Sequence, residues 1–169
     1  ESEVPLVDGI TETSYTMEDL EPGVHNLMVR TRNEDCLSMP SNSVKPTIYP
    51  CASEDMCELT FVMVDAFGDG WNEGYIEVVG TKSDLVYNVV IDNGKLQDTK
   101  ILALCPDTYT ITWVSGLCDE EVSFAIYNGD EELYSVKFAD LEDMIIGTFL
   151  EYNLDCGIGV EEMTSHNTI

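Results

Sequence analysis

Positive charge is scarce in this sequence. Seven lysines and arginines stand against 33 aspartates and glutamates in 169 residues, a net charge of −26. A surface that negative repels phosphate backbones and anionic lipid, which argues against nucleic-acid partners and against a membrane surface. It attracts cations, divalent ones included, and it also keeps a secreted β protein in solution. Histidine is scarcer still, with only His25 and His166. A Ser-His or Cys-His catalytic pair would have to use one of them, and one falls in a strand pattern while the other falls in a polar tail. Carboxylate pairs suited to glycoside hydrolysis can be found anywhere among so many acids, so they carry no weight alone. No apolar run approaches the roughly 18 residues of a membrane span, so no membrane insertion is expected. These absences point away from catalysis in this chain.

Zinc-type Cys-x-x-Cys pairs are missing too, although six cysteines are present. An even count without that spacing reads as disulfides, hence an oxidising, extracytoplasmic compartment. Cys57 opens the first strand of a second module and Cys156 closes its last, so their bond would close a sandwich whose first and last strands are neighbours. Cys105 and Cys118 flank what reads as a hairpin, CPDTYTITWVSGLC, and a loop of that size is worth about 3 kcal/mol in the chain-entropy model. Cys36 and Cys51 then pair by elimination, which would leave no thiolate nucleophile. The chain opens at Glu1 without a signal peptide, which reads as a piece of a longer precursor.

What is present is β pattern. In residues 1–50, a Pro-Gly turn at Pro22-Gly23 is followed by HNLMVRT, alternating at His25, Leu27, Val29 and Thr31, and then by the edge-like VKPTIYP. CASEDM, residues 51–56, is a polar hinge. From Cys57 to Cys156 short strands recur at roughly ten-residue intervals: CELTFVMVD, YIEVVG, LVYNVVID, TKILAL, TYTITWV, EVSFAIYN, ELYSVKF and FLEYNL. Such spacing indicates an all-β fold, an antiparallel β-sandwich or jelly roll, over residues 51–156. Asp92-Asn93-Gly94 and Asn128-Gly129-Asp130 read as hairpin turns, and ADLEDMII as a helical turn or a loop. Residues 157–169 lose the alternation and read as a linker.

The most specific stretch is DAFGDGWNEG, residues 65–74. Asp65 ends a strand, and Gly68 and Gly70 permit tight reversals on either side of Asp69. Such a loop can turn the Asp65 and Asp69 carboxylates, the Asn72 amide and backbone carbonyls toward one point, a donor set that suits calcium. The EF-hand spacing is absent. The alternative is an ordinary turn in which aspartate accepts bonds from nearby backbone N–H groups. Trp71 has two readings as well: a lid folded over the core, or an exposed ring that stacks on a ligand such as a sugar. Trp113, in mid-strand, reads as core.

Three resemblances add to this. TSYTMEDLEPGVHNLMVRTRN followed by SMPSNSV resembles the later strands of a fibronectin type III domain, with His25 where a tyrosine is usual; it implies a partial sheet whose missing strands come from upstream in the precursor or from another chain. DAFGDGWNEG, together with TYTITWVSGLCDEEVSF (Tyr109, Trp113, Gly116, Glu121, Phe124), resembles the D-S-Y-G-D-G-W-N-G sandwich modules of bacterial and protist surface proteins, and more distantly the calcium-binding jelly-roll adhesin domains of gingipains and haemagglutinins. That likeness implies Glu121 as a further calcium ligand, reaching the loop from across the sandwich, with Asp119 or Glu120 as weaker candidates, and places Glu73 where the signature has glycine. GIGVEEMTSHNTI resembles the linker that precedes the C-terminal sorting domain of type IX secretion cargo. Together they imply a secreted, cell-surface accessory region of an adhesin or protease that binds host protein or glycan, or else a spacer with no ligand of its own.

Overall fold

The computed structural model describes residues 7–34, 36–83, 85–137 and 147–157. Twelve strands are present among them. Four are two-residue pieces: β1 (Gly23–Val24), β2 (Arg32–Asn33), β3 (Cys36–Leu37) and β4 (Thr47–Ile48). The others are β5 (Cys57–Asp65), β6 (Tyr75–Gly80), β7 (Val86–Val89), β8 (Gln97–Leu104), β9 (Asp107–Val114), β10 (Val122–Asn128), β11 (Glu131–Val136) and β12 (Gly147–Leu154).

β5 to β12 build the expected all-β sandwich. One antiparallel sheet has the order β11-β10-β5-β8 and the other β12-β9-β6-β7. Side chains alternate across a strand, so each sheet turns one set inward. β5 buries Leu59, Phe61, Met63 and Asp65, and β9 buries Asp107, Tyr109, Ile111 and Trp113. Register places Phe124 opposite Met63 and Ile126 opposite Phe61 in the first sheet, and Ile76 opposite Trp113 and Val78 opposite Ile111 in the second. Fully burying one such side chain is worth about 1.5–3 kcal/mol, so these inner faces supply the main driving force for folding. At the foot of β9 the buried Tyr109 hydroxyl donates to the Cys105 carbonyl at 2.9 Å, pinning the corner where the chain changes sheets.

Only β6–β7 and β10–β11 are hairpins within one sheet; every other connection from β5 to β12 crosses the sandwich. This corrects two expectations. Asn128-Gly129-Asp130 is a hairpin turn, whereas Asp92-Asn93-Gly94 joins β7 to β8 in the opposite sheet. CPDTYTITWVSGLC is not a hairpin: its middle is the single eight-residue strand β9. A strand that long rises about 26 Å, so Cys105 and Cys118 lie at opposite ends of it and cannot bond.

The observed disulfides are Cys57–Cys156 and Cys51–Cys105, with Cα separations of 5.3 and 5.7 Å. The first is the expected pair, although β5 and β12 lie in different sheets, so the bond staples the sheets instead of joining neighbours. The second ties the hinge to the β8–β9 corner and replaces both other expected pairings, leaving Cys36 and Cys118 as thiols.

Residues 23–48 form one interrupted antiparallel ribbon. It runs from Gly23 opposite Ile48, through a Leu27–Val44 bridge, to Asn33 opposite Cys36. Its apolar side chains stay largely in solvent, as at Val24, Val29, Met39 and Val44, and no second sheet among the described residues covers them. TSYT, the stretch that resembles a fibronectin strand, is not in a strand. ADLEDMII and residues 158–169 of the expected linker lie outside the described residues.

In the chain-entropy model each disulfide closes a loop large enough to contribute about 4–5 kcal/mol. The Cys57→Ala/Cys156→Ala double variant should lose 2–5 kcal/mol in denaturant unfolding. Cys36→Ser should leave the midpoint unchanged, and alkylation of the unreduced, denatured protein should label Cys36 and Cys118 alone.

Candidate metal centre

The loop after β5 is organised by a buried carboxylate. Asp65 is wholly buried. Its Oδ1 accepts from the backbone N–H groups of Phe67 (3.0 Å) and Gly68 (2.9 Å), and its Oδ2 from that of Gly70 (2.7 Å). Gly68 and Gly70 reach these positions at φ +77° and +87°, which side chains rarely adopt. The reversals that were expected to turn carbonyls inward therefore turn N–H groups inward. A carboxylate has about four lone-pair sites, and with three engaged one remains on Oδ2.

Two further loops close around this one. The β7–β8 connection is laced to it through Gly94 N–H to Gly68 O at 2.8 Å and Asp65 N–H to Leu96 O at 3.0 Å. The β9–β10 connection is laced through Leu117 N–H to Asn72 O at 3.0 Å and Ala66 N–H to Glu121 O at 3.1 Å. Gly116 makes the second approach possible: a Cβ there would lie 2.5 Å from both the Asn72 oxygen and the Gly74 nitrogen. Glu121 arrives because Val122 is the register partner of Asp65, on the adjacent strand of the same sheet rather than across the sandwich.

Asp65, Asp69 and Glu121 thus offer carboxylate oxygens all within 4.8 Å of one another. Asp69 is exposed and Glu121 nearly buried. Asn72 sits between them: its Nδ2 lies 2.8 Å from Glu121 Oε1, 3.1 Å from Gly70 O and 3.2 Å from Asp69 Oδ1. An amide nitrogen carries two hydrogens and here meets three acceptors, so one oxygen goes short. All four residues expected as ligands converge, with Asn72 presenting nitrogen. Rotating its amide by half a turn would present oxygen instead. Burial raises the Glu121 carboxyl above its ordinary range; the charges of Asp69, Asp65 and Glu120 add to this, and the Asn72 bond opposes it.

Comparison with protein-family models, curated proteins and solved structures finds no match. The site is therefore read from its own geometry.

The remaining residues take other roles. Asp119 braces its loop, accepting from Trp113 Nε1 and from the Gly116 backbone N–H at 2.9 Å, and Glu120 points into solvent. Trp71 is 1% exposed, its Nε1 donates to Val64 O, and its ring packs edge-on against Trp113 with centroids 5.3 Å apart. It is the lid over the core, and the expectation that it contacts a ligand is corrected, because stacking on a sugar needs an open face. The Cys118 thiol is pushed up by burial and then by Glu121 and Glu120, which keeps it protonated and weakly nucleophilic.

Glu73 accounts for the departure from the resembled signature. Its φ is +74°, directly after Asn72 at +47°. Asparagine tolerates that region, whereas glutamate is strained in it. Glu73→Gly should raise stability by roughly 0.5–1 kcal/mol, and Gly116→Ala should lower it by about 3 kcal/mol, because the oncoming backbone cannot yield. Denaturant unfolding of the two variants checks both.

Proposed function

We propose that this chain is a non-catalytic accessory region of a secreted bacterial surface protein or protease, built on a calcium-stabilised sandwich that serves as a binding module. The reading is carried by one observation: two carboxylates from one loop and a third from the β9–β10 connection meet beside a backbone carbonyl and a reversible amide. Asp65, Asp69, Glu121, the Gly70 carbonyl and Asn72 would be the protein ligands, all oxygen donors of the kind calcium prefers. Two disulfides fit an oxidising compartment, and no helix among the described residues is long and apolar enough to cross a membrane. Secretion by the type IX route, and an adhesin or protease as parent, rest on the sequence resemblances. Host protein is the favoured class of ligand, since Trp71, the ring that the sequence offered for stacking on a sugar, is buried.

A second reading has its own support. Asp65 is already satisfied by three backbone N–H groups, so the loop holds its shape as a turn without a cation. On that reading the region is a spacer.

Thermal melting separates them. Extracellular modules bind calcium at about 0.1–1 mM. At saturating millimolar calcium the protein should gain roughly 2–3 kcal/mol, or about 10 °C, over its melting in excess chelator. Asp69→Ala should abolish the gain, and superimposable curves for the wild type would remove calcium from the reading.

The pH dependence follows from Glu121, whose carboxyl is raised from 4.5 in the fold. The folded state holds this proton more tightly than the unfolded state. In chelator, the resulting stability is present at low pH and is lost as pH rises through the raised value. Calcium needs the ionised form, so its protection should appear over the same window as pH rises. Melting temperature against pH should show both trends, and Glu121→Gln should flatten them.

A further inference from the structure

The three loops that enclose the acidic cluster carry an unusual burden of apolar surface. On the sandwich, the described residues with large, exposed hydrophobic side chains are Phe67 (76%), Leu96 (61%), Leu117 (79%), Val86 (55%) and Ile101 (56%). The three most exposed sit one on each of the loops β5–β6, β7–β8 and β9–β10, all at the Asp65 end. The β6–β7, β8–β9 and β10–β11 connections at the opposite end carry none among the described residues. None of the three is spare core: Trp71, Trp113 and Phe124 already fill the sandwich beneath them.

Leu96 lies over Gly68, whose Cβ would stand 3.1 Å from its Cδ2, so it adjoins Phe67 in space. Leu117 is held beside the same loop by its backbone bond to Asn72. Around these side chains the charge has one sign. The three loops carry Asp69, Glu73, Asp92, Asp119, Glu120 and Glu121 against the single base Lys95, which is taken up by Asp92 at 3.3 Å and Asp98 at 2.7 Å. Apolar side chains projecting from a polar rim mark protein-contact surfaces. A rim of one charge sign selects a partner of the other and repels its own kind.

We propose that this end of the sandwich is a docking face for a protein surface that is cationic and apolar, with lysine or arginine set among aliphatic side chains, anchored by Phe67, Leu96 and Leu117. This rests on the binding-module reading and is independent of the calcium. Exposed carboxylates at Asp69, Glu73 and Glu120 steer and orient the partner, while the three side chains lose water on contact. Anionic lipid and a second copy of this acidic chain are disfavoured by the same charge.

The test uses the full chain and a synthetic peptide of alternating lysine and leucine, followed by calorimetry in calcium and again in chelator. Phe67→Ser/Leu96→Ser/Leu117→Ser should weaken peptide binding by about tenfold or more, a loss typical of interface anchors. Phe67→Ser/Leu117→Ser provides a second variant that spares the Leu96–Gly68 contact. The matched control, Val86→Ser/Ile101→Ser, removes exposed apolar groups from edge strands and should change binding less than about twofold. Equal losses in loop and control variants would overturn the proposal by reducing the binding to general electrostatics. Wild-type binding of a leucine–glutamate peptide as tight as that of the lysine peptide would also overturn it. So would loop-dependent binding to phosphatidylserine vesicles, or loop-dependent self-association in sedimentation, with peptide binding unaltered. Because calcium is tested by melting, absence of a thermal shift with loop-dependent binding intact would remove the metal and keep the docking face.

Discussion

The ring of backbone N–H groups around the Asp65 carboxylate is the interaction on which the acidic end of this molecule depends. A buried carboxylate is costly unless it is fully hydrogen-bonded, and here the compensation comes from the loop that follows it. Satisfying Asp65 coils residues 66–70 back over the end of β5, which directs Asp69 toward Glu121 and drops Trp71 onto the core. One electrostatic requirement thus shapes the loop, caps the sandwich and gathers the acids. The register of β10 on β5 does the rest, because it delivers Glu121 to the same spot.

The two ends of the sandwich are built on different principles. At one end, the start of β5 and the corners near it are held by covalent links, Cys57–Cys156 and Cys51–Cys105. A second buried acid, Asp107, is satisfied there by Thr81 Oγ1 and by the backbone N–H groups of Lys82 and Thr108. At the other end, no covalent link holds the described loops, and three carboxylates are brought close together. The covalent restraints lie away from the cluster, while the acidic end carries strain at Glu73 and exposed apolar side chains.

Much of the architecture was legible from alternation alone. CELTFVMVD and YIEVVG coincide with β5 and β6 because one face of each is buried without interruption. Alternation names the buried face but not the partner strand. Hence a strand with loops at its ends passed for a hairpin, and Cys105 was matched with the wrong cysteine. Within the site, Asp65, Asp69 and Asn72 were readable because they share one loop, whereas Glu121 came only through a resemblance. The orientation of Trp71 was not readable: a tryptophan between glycine and asparagine looks the same as a lid or as a ligand contact until Trp113 and Phe124 are placed beneath it. The apolar tips were equally hidden, since only the assembled fold reveals that Phe67, Leu96 and Leu117 share one end.

The Cys57–Cys156 bond also has a mechanical consequence. Tension entering the chain at Cys57 and leaving beyond Cys156 passes directly through this bond, and the chain between these two cysteines, which stand 99 positions apart, is bypassed. About 330 Å of potential extension is thereby kept out of the load path. A module wired in this way transmits a pull between what lies on either side of it while its own folded shape stays undisturbed, and only reduction would let the stored length pay out.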